Sequence, residues 1–204
     1  MVDCTPITYN WELKSGSLGG SNAQTSQLYD FTTGTVTTTF DTQRFSDGTD
    51  LSIARTILHE AVHAYLISHF RSNPLIANET YQMMVNENMK GDYPNQNALQ
   101  HAEFIRSFIS DIGDALQQFG SNKGYSISST YYQKLAWGAL THWLKTDENG
   151  EVIEDASGNP VYEETPWFKA AFSTSEERDS VFNIILTEQG ISNTENQKGT
   201  DANC

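Results

Sequence analysis

The segment 50–66 constrains the fold most, because its apolar residues recur with the spacing of an amphipathic helix. Asp50 is suited to cap the start of this helix, and Pro74 ends the helical pattern. Three of the chain's five histidines lie in or just after the segment. It is therefore either a metal-binding helix or a buried helix with hydrogen-bonded histidines. The apolar positions are Leu51, Ala54, Leu58, Ala61, Val62, Tyr65 and Leu66.

The remaining sequence predicts an α+β fold, in which a small N-terminal antiparallel sheet precedes a mainly helical body. Alternating apolar residues in ITYNWEL and the β-branched run TVTTTF predict two or three antiparallel strands that end near Asp41. A short helix is expected over 79–89, and a third helix begins near Asn97. The buried stripe of the third helix is predicted to be Phe104, Ile105, Phe108, Ile109, Ile112, Leu116 and Phe119.

The second half of the chain predicts three more helices within one domain that spans residues 1–190. Capping patterns place a fourth helix over YYQKLAWGALTHWLK, a short helical turn at Pro166, and a last helix from Thr174 to about Gln189. Turn signals in 147–164 predict an exposed acidic hairpin insertion. The polar residues 191–204 are expected to be disordered.

Composition excludes several classes of partner. Twelve Lys and Arg against 26 Asp and Glu give a formal net charge of −14, which repels nucleic acid and anionic lipid. No apolar stretch approaches the roughly 20 residues that cross a bilayer, so membrane insertion is not expected. The two cysteines, Cys4 and Cys204, do not form a Cys-x-x-Cys pair, so a thiolate zinc site is excluded. Many Ser, Thr, Asn, Gly and Tyr residues with few Lys suit an exported domain (periplasmic, cell-surface or secreted) whose signal is absent from this chain.

His59, Glu60 and His63 form an H-E-x-x-H motif inside the predicted helix. At about 100° per residue, His63 lies about 40° around the helix from His59 and one turn further along, so both imidazoles can bind one ion. Glu60 then stands beside the first ligand, where it can take a proton from a water that zinc has made acidic. The alternative is a pair of hydrogen-bonded core histidines beside a buried carboxylate. It is disfavoured because burying these groups without a ligand costs free energy.

A catalytic zinc usually has three protein ligands and a water, so a third ligand is needed. His101 is the predicted one, because it lies at the head of the buried stripe of the third helix. A structural role for His101, with its ring bonded to the backbone, stays an alternative. Glu79 and Glu87 in the preceding helix are alternative ligands.

His69 is the remaining candidate ligand, at ten residues after His59. That spacing matches the motif H-E-x-x-H-x-x-G-x-x-H, but Leu66 stands where the motif has its glycine. An unbroken helix would point His69 away from the ion. His142, Tyr131 and Tyr132 are candidates for stabilising an oxyanion, although a structural role is favoured for His142.

Beyond the motif, the chain resembles the zincin-type metallopeptidase domains of bacterial surface lipoproteins and of large exported, toxin-like proteins. The likeness rests on TDLSIARTILHEAVHAYL, QHAEFIRSFISDIGDAL and YYQKLAWGAL, which cover much of residues 49–140, with TVTTTFDTQRF as the preceding strand. The resemblance implies a zincin-like α+β core in which His59 and His63 bind zinc, Glu60 is the general base and His101 is the third ligand. Leu66 separates the chain from the glycine-containing branch.

The sequence therefore predicts a zinc-dependent peptidase, expected to be an endopeptidase, with Zn²⁺ as cofactor and a protein or peptide as substrate. The Thr-rich strand TVTTTF is expected to lie at a sheet edge and to bind substrate as an added strand. One alternative is a non-catalytic zinc-containing surface-binding or toxin-associated module, against which the presence of Glu60 argues. Another is a protease that cuts DNA-bound proteins, against which the acidic charge argues.

Overall fold

The computed structural model describes residues 9–26, 28–69, 97–148, 151–192 and 196–202. For Leu66, His69, 97–107 and Trp143 it describes the backbone alone. The helix predicted over 79–89 and both cysteines lie outside the described residues. The described elements form an α+β structure with a small mixed sheet and several helices.

The N-terminal sheet has three strands, β1 (Asn10–Ser15), β2 (Ala23–Thr25) and β3 (Thr35–Phe40), in the order β1-β3-β2. β2 pairs with β3 in antiparallel register, whereas β1 pairs with β3 in parallel. The predicted all-antiparallel arrangement is therefore wrong for β1 and β3. β1 and β2 do run in opposite directions, but β3 inserts between them, and alternation of apolar residues along a strand does not specify its neighbours.

The H-E-x-x-H segment is helical, as predicted, and forms α1 (Asp50–His69). The Oγ1 of Thr49 accepts a hydrogen bond from the Ser52 N–H, so Thr49 rather than Asp50 caps this helix. α1 packs against β2 and β3. Ala64 and Ile67 of α1 form a small apolar cluster with Val36 of the sheet.

Four further helices form the body, as α2 (Asn97–Asn122), α3 (Ser129–Leu135), α4 (Pro166–Ala171) and α5 (Ser175–Glu188). The predicted cap of the last helix is confirmed, since Thr174 and Glu177 form a reciprocal capping box. Three residues of the predicted stripe of α2 are buried in the main core. The core comprises Leu51, Ile109, Ile112, Leu116, Tyr132, Leu135, Ala136, Trp137, Trp167, Phe168, Val181, Ile184 and Ile185.

The predicted fourth helix is too long, because α3 ends at Leu135. Trp137 packs against Phe168 at a ring-centroid distance of 5.5 Å, and Ala139 has a φ of 72° that no α-helix accommodates. His142 consequently lies in strand β4 (His142–Leu144), which pairs antiparallel with β5 (Tyr162–Glu164). A glycine at position 138 weakens the local helical preference, and the tertiary packing then decides the path of the chain.

The predicted hairpin insertion 147–164 contains antiparallel pairing, with bridges between Thr146 and Val152 and between Glu154 and Pro160. The polar tail differs from the expected disorder, because residues 196–202 pack against the start of α1. A bridge joins Thr49 to Asp201 and Ala202 is 9% exposed. Within the described part of the chain, no helix is long and apolar enough to cross a membrane.

Candidate metal centre

The two histidines of the motif face one another on α1. Their Nε2 atoms lie 3.0 Å apart, and the ring centroids are separated by 4.7 Å. The spacing of four residues in a helix produces this approach, because side chains at i and i+4 lie on the same face. The predicted shared direction of the two imidazoles is therefore present in the structure.

The donor set fits a small divalent cation. Two zinc–nitrogen bonds of about 2.0–2.1 Å at a tetrahedral angle separate the nitrogens by about 3.3 Å, so opening the observed pair by a few tenths of an ångström admits the ion. Burial, with the neighbouring His63 and Arg55, holds the pKa of His59 well below its ordinary value. Burial lowers the pKa of His63 to about 4. Both rings are therefore neutral at pH 7, which is the protonation state that binds a metal.

Glu60 completes the group. One ligand atom from each of His59, Glu60 and His63 lies within 4.8 Å of the others, and these residues form a candidate metal-binding cluster. The Glu60 side chain is only 6% exposed. Burial raises the pKa of Glu60, and a hydrogen bond from Thr25 offsets part of that rise. A carboxylate whose pKa is raised above its ordinary value is a stronger proton acceptor than a solvated one.

A chain of hydrogen bonds from the sheet holds the Glu60 carboxylate. The Thr25 hydroxyl donates to Glu60 Oε2 at 2.6 Å, and its oxygen lies 2.7 Å from Thr38 Oγ1. Trp11 Nε1 donates to Thr38 Oγ1 at 2.8 Å. Because the indole can only donate and Thr25 already gives its proton to Glu60, the Thr38 hydroxyl donates to Thr25. All three hydrogen bonds therefore run in the same direction, with each donor further from Glu60 than its acceptor, and together they stabilise the ionised form of the Glu60 carboxylate.

A cavity of about 540 Å³ lies beside this group and is lined by His59, Glu60 and His63. β2 and the preceding residues 20–22 form one of its walls. The prediction that TVTTTF binds substrate as an edge strand is wrong, because β3 lies between β1 and β2 and its backbone groups are paired on both sides. β2 is the edge strand that borders the cavity.

The third ligand stays a prediction. The backbone of His101 lies in α2, which packs against α1, but its side chain is outside the described residues. The side chain of His69 is also outside them, as are Glu79 and Glu87 altogether.

The candidates for oxyanion stabilisation are not brought to the cavity. His142 packs on Phe182, with ring centroids 4.7 Å apart, and does not line the cavity. The Tyr131 hydroxyl donates to Glu188 Oε1, and Tyr132 is buried in the main core.

Sequence reasoning missed Arg55, which is 3% exposed and lines the cavity one helical turn before His59. Burial lowers the pKa of Arg55 to about 10, and the opposing effect of Glu60 is smaller. The side chain is therefore still charged at pH 7. The sequence does contain an indication of its role, because Arg55 is a cationic residue that interrupts the apolar face of α1 four residues before the first histidine.

No family model, no curated protein and no solved structure matches the chain. The site is therefore interpreted from its own chemistry.

Proposed function

We infer that the protein is a zinc-dependent peptidase that hydrolyses peptide bonds with Glu60 as general base. The observation that carries this proposal is the 3.0 Å approach of two neutral imidazole nitrogens in a cluster with a buried carboxylate. A purely structural metal site has no use for a carboxylate beside its first ligand, whereas hydrolysis needs a base at that place.

His59 and His63 would hold the ion, with His101 as the proposed third ligand. Bound zinc would supply a Lewis acid that polarises the scissile carbonyl and makes a water acidic. Glu60 takes a proton from the attacking water and delivers it to the leaving amine. Thr25, Thr38 and Trp11 fix the carboxylate by the donor chain from the sheet, so that its orientation is set before substrate binds.

The substrate is proposed to be a peptide in extended conformation along β2. This strand is at the edge of the described sheet, borders the cavity, and ends at Thr25, whose hydroxyl donates to Glu60. An added strand would obtain main-chain hydrogen bonds from this edge. Cleavage within a chain, as an endopeptidase, stays part of the proposal.

The test compares zinc content and hydrolysis of an unfolded protein substrate by wild type and Glu60→Gln. We expect wild type to bind zinc and to hydrolyse substrate, EDTA to abolish hydrolysis, and Glu60→Gln to keep zinc while hydrolysis disappears. Glu12→Gln, on the exposed strand β1, is the matched control and should resemble wild type. Hydrolysis that survives in Glu60→Gln, or wild type that binds no transition metal, would refute the proposal.

The third ligand is tested by elemental analysis of His101→Ala. Loss of zinc from this variant supports His101 as a ligand. Undiminished zinc would assign that position to Glu79, Glu87 or His69 instead.

A further inference from the structure

We propose that Arg55 and the turn 136–140 form a carboxylate-binding subsite in the wall of the metal cavity, so that the peptide substrate presents a carboxylate there. The inference rests on the proposed peptidase function and narrows its substrate class. It is carried by the environment of Arg55, by the backbone against which it lies, and by the charges around the cavity.

Arg55 is buried and forms no ion pair among the described residues, although the carboxylate of Glu60 acts on it electrostatically. Its side chain is 3% exposed, and its Nε and Nη2 atoms have no hydrogen-bond partner among the described residues. Burial of a guanidinium whose Nε and Nη2 lack acceptors costs desolvation free energy. That cost is offset when a ligand supplies an anion, and the planar fork of a guanidinium matches the two oxygens of a carboxylate.

The guanidinium of Arg55 lies against the backbone at Gly138. A Cβ at this position would lie 2.2 Å from Nη1 of Arg55 and 2.6 Å from its Cζ, so only glycine permits this approach. Ala139, the next residue, has a φ of 72° and also lines the cavity. A left-handed alanine is a strained backbone of the kind that clusters at binding sites.

The charge of the described residues that line the cavity is opposite in sign to the net charge of the chain. The chain carries 26 acidic residues against 12 basic ones, yet the described residues that line the cavity include two arginines, Arg44 and Arg55, and one acid, Glu60. Arg44 is exposed at the rim, where its Nε donates to Asn22 Oδ1 at 3.3 Å. A cationic cleft in an acidic surface concentrates anions at the site.

The position of Arg55 indicates where the substrate carboxylate lies relative to the scissile bond. Arg55 and His59 are four residues apart in α1, so their Cβ atoms lie about 5–6 Å apart on one face. A carboxylate on the guanidinium therefore belongs to a substrate residue near the scissile bond. It is either the side chain of an Asp or Glu, which agrees with cleavage within a chain, or the free C-terminus of the peptide, which would make the enzyme an exopeptidase and replace the endopeptidase part of the proposed function.

The experiment measures the affinity of probe peptides for the metal-free protein by calorimetry. Zinc binding and hydrolysis therefore do not affect the measured affinity. The probes are acetyl-Ala-Ala with a free C-terminus, its C-terminal amide, and acetyl-Asp-Ala-amide. We expect wild type to bind one of the two carboxylate peptides at least about tenfold more tightly than the neutral amide. Preference for the free acid identifies the C-terminus as the source, and preference for the Asp peptide identifies a side chain.

Arg55→Met, which keeps the approximate length of the side chain, should abolish this preference without lowering the melting temperature, because it removes a buried charge whose Nε and Nη2 have no hydrogen-bond partner among the described residues. Arg178→Met is the matched control, since Arg178 already pairs with Glu164 at 3.0 Å and lies outside the cavity. It should keep the preference.

Gly138→Ala is a second variant, which displaces the guanidinium without removing its charge and should weaken the preference. Equal binding of all three probes by wild type, or a preference retained in Arg55→Met and Gly138→Ala, would overturn the inference. A protein that shows the preference but hydrolyses nothing would contradict the proposed function alone.

Discussion

Glu60 and Glu188 are both buried, at 6% and 0% exposure, but they are satisfied in very different ways. Glu188 accepts hydrogen bonds from the hydroxyls of Thr49 and Tyr131 and from the backbone N–H groups of Lys198 and Gly199. Glu60 accepts a side-chain hydrogen bond from Thr25 and faces a cavity. The first carboxylate is enclosed by donors, whereas the second is held on one side only.

The difference separates a structural carboxylate, Glu188, from the proposed general base, Glu60. Glu188 connects the end of α5 to the start of α1 and to the C-terminal residues 198–199 by hydrogen bonds, so it stabilises the packing of these three segments. The hydrogen bond from Thr25 reaches one oxygen of Glu60, Oε2, and Glu60 lines the cavity. A carboxylate that lines a cavity can exchange a proton with a ligand, whereas a carboxylate enclosed by donors cannot.

The largest expected effect comes from making the same substitution at both positions. Glu60→Gln removes the proposed general base, and we expect it to lower the rate of hydrolysis by about 10²–10⁴-fold without loss of stability. Glu188→Gln should leave the rate per folded molecule near that of wild type. Equal reductions of the rate by both substitutions, in hydrolysis assays on folded, zinc-loaded protein, would contradict different roles for Glu60 and Glu188.

Stability should show the reverse order. Glu188→Gln turns an NH₂ group toward hydroxyl and backbone donors, so buried groups lose their acceptor, and we expect unfolding to become easier by about 2–3 kcal/mol. Glu60→Gln should change the unfolding free energy by less than about 1 kcal/mol, because the Thr25 hydroxyl can accept a hydrogen bond from the glutamine amide instead of donating one. Urea denaturation of metal-free proteins measures both. A Glu188 variant as stable as wild type contradicts a structural role for that carboxylate.

The motif histidines should make the metal-free protein sensitive to acid. Unfolded histidine titrates near 6.5, whereas folded His63 titrates at about 4, so between these values only the unfolded chain carries the proton. The stability that depends on neutral His63 is complete above pH 6.5 and is lost as pH falls to about 4, at up to about 1.4 kcal/mol per pH unit. In denaturant titrations at several pH values, His63→Phe should show a shallower slope than wild type. Equal slopes would mean that His63 is not buried as neutral.

The smallest expected effect concerns the donor chain to Glu60. Thr25→Val removes the hydroxyl that lowers the pKa of Glu60, so that pKa rises further and the acid limb of the pH–rate profile moves to higher pH. We expect a stability loss of about 1 kcal/mol. Thr37→Val is the matched control, because the Thr37 hydroxyl donates at 3.0 Å to Glu12 on the exposed face of the sheet. An unchanged profile in Thr25→Val would show that this bond does not tune Glu60.

Local sequence determined the motif helix and the spacing of its histidines. The capping residues Thr174 and Glu177, and the helical repeat that pairs His59 with His63, act within one turn of the chain. Such interactions are contained in short segments and can be predicted from them. The α+β class followed in the same way, from the change of apolar spacing between the first fifty residues and the rest.

Only the tertiary structure decided what surrounds the motif. Thr25 reaches Glu60 across 35 residues, and Trp11 reaches Thr38 across 27, because β3 inserts between β1 and β2. Arg55 gains its place in the cavity wall from the end of α3 at Leu135 and the turn that follows. These contacts join segments that share no local pattern, so propensity and periodicity do not encode them. They form only when the sheet, α1 and the turn pack together.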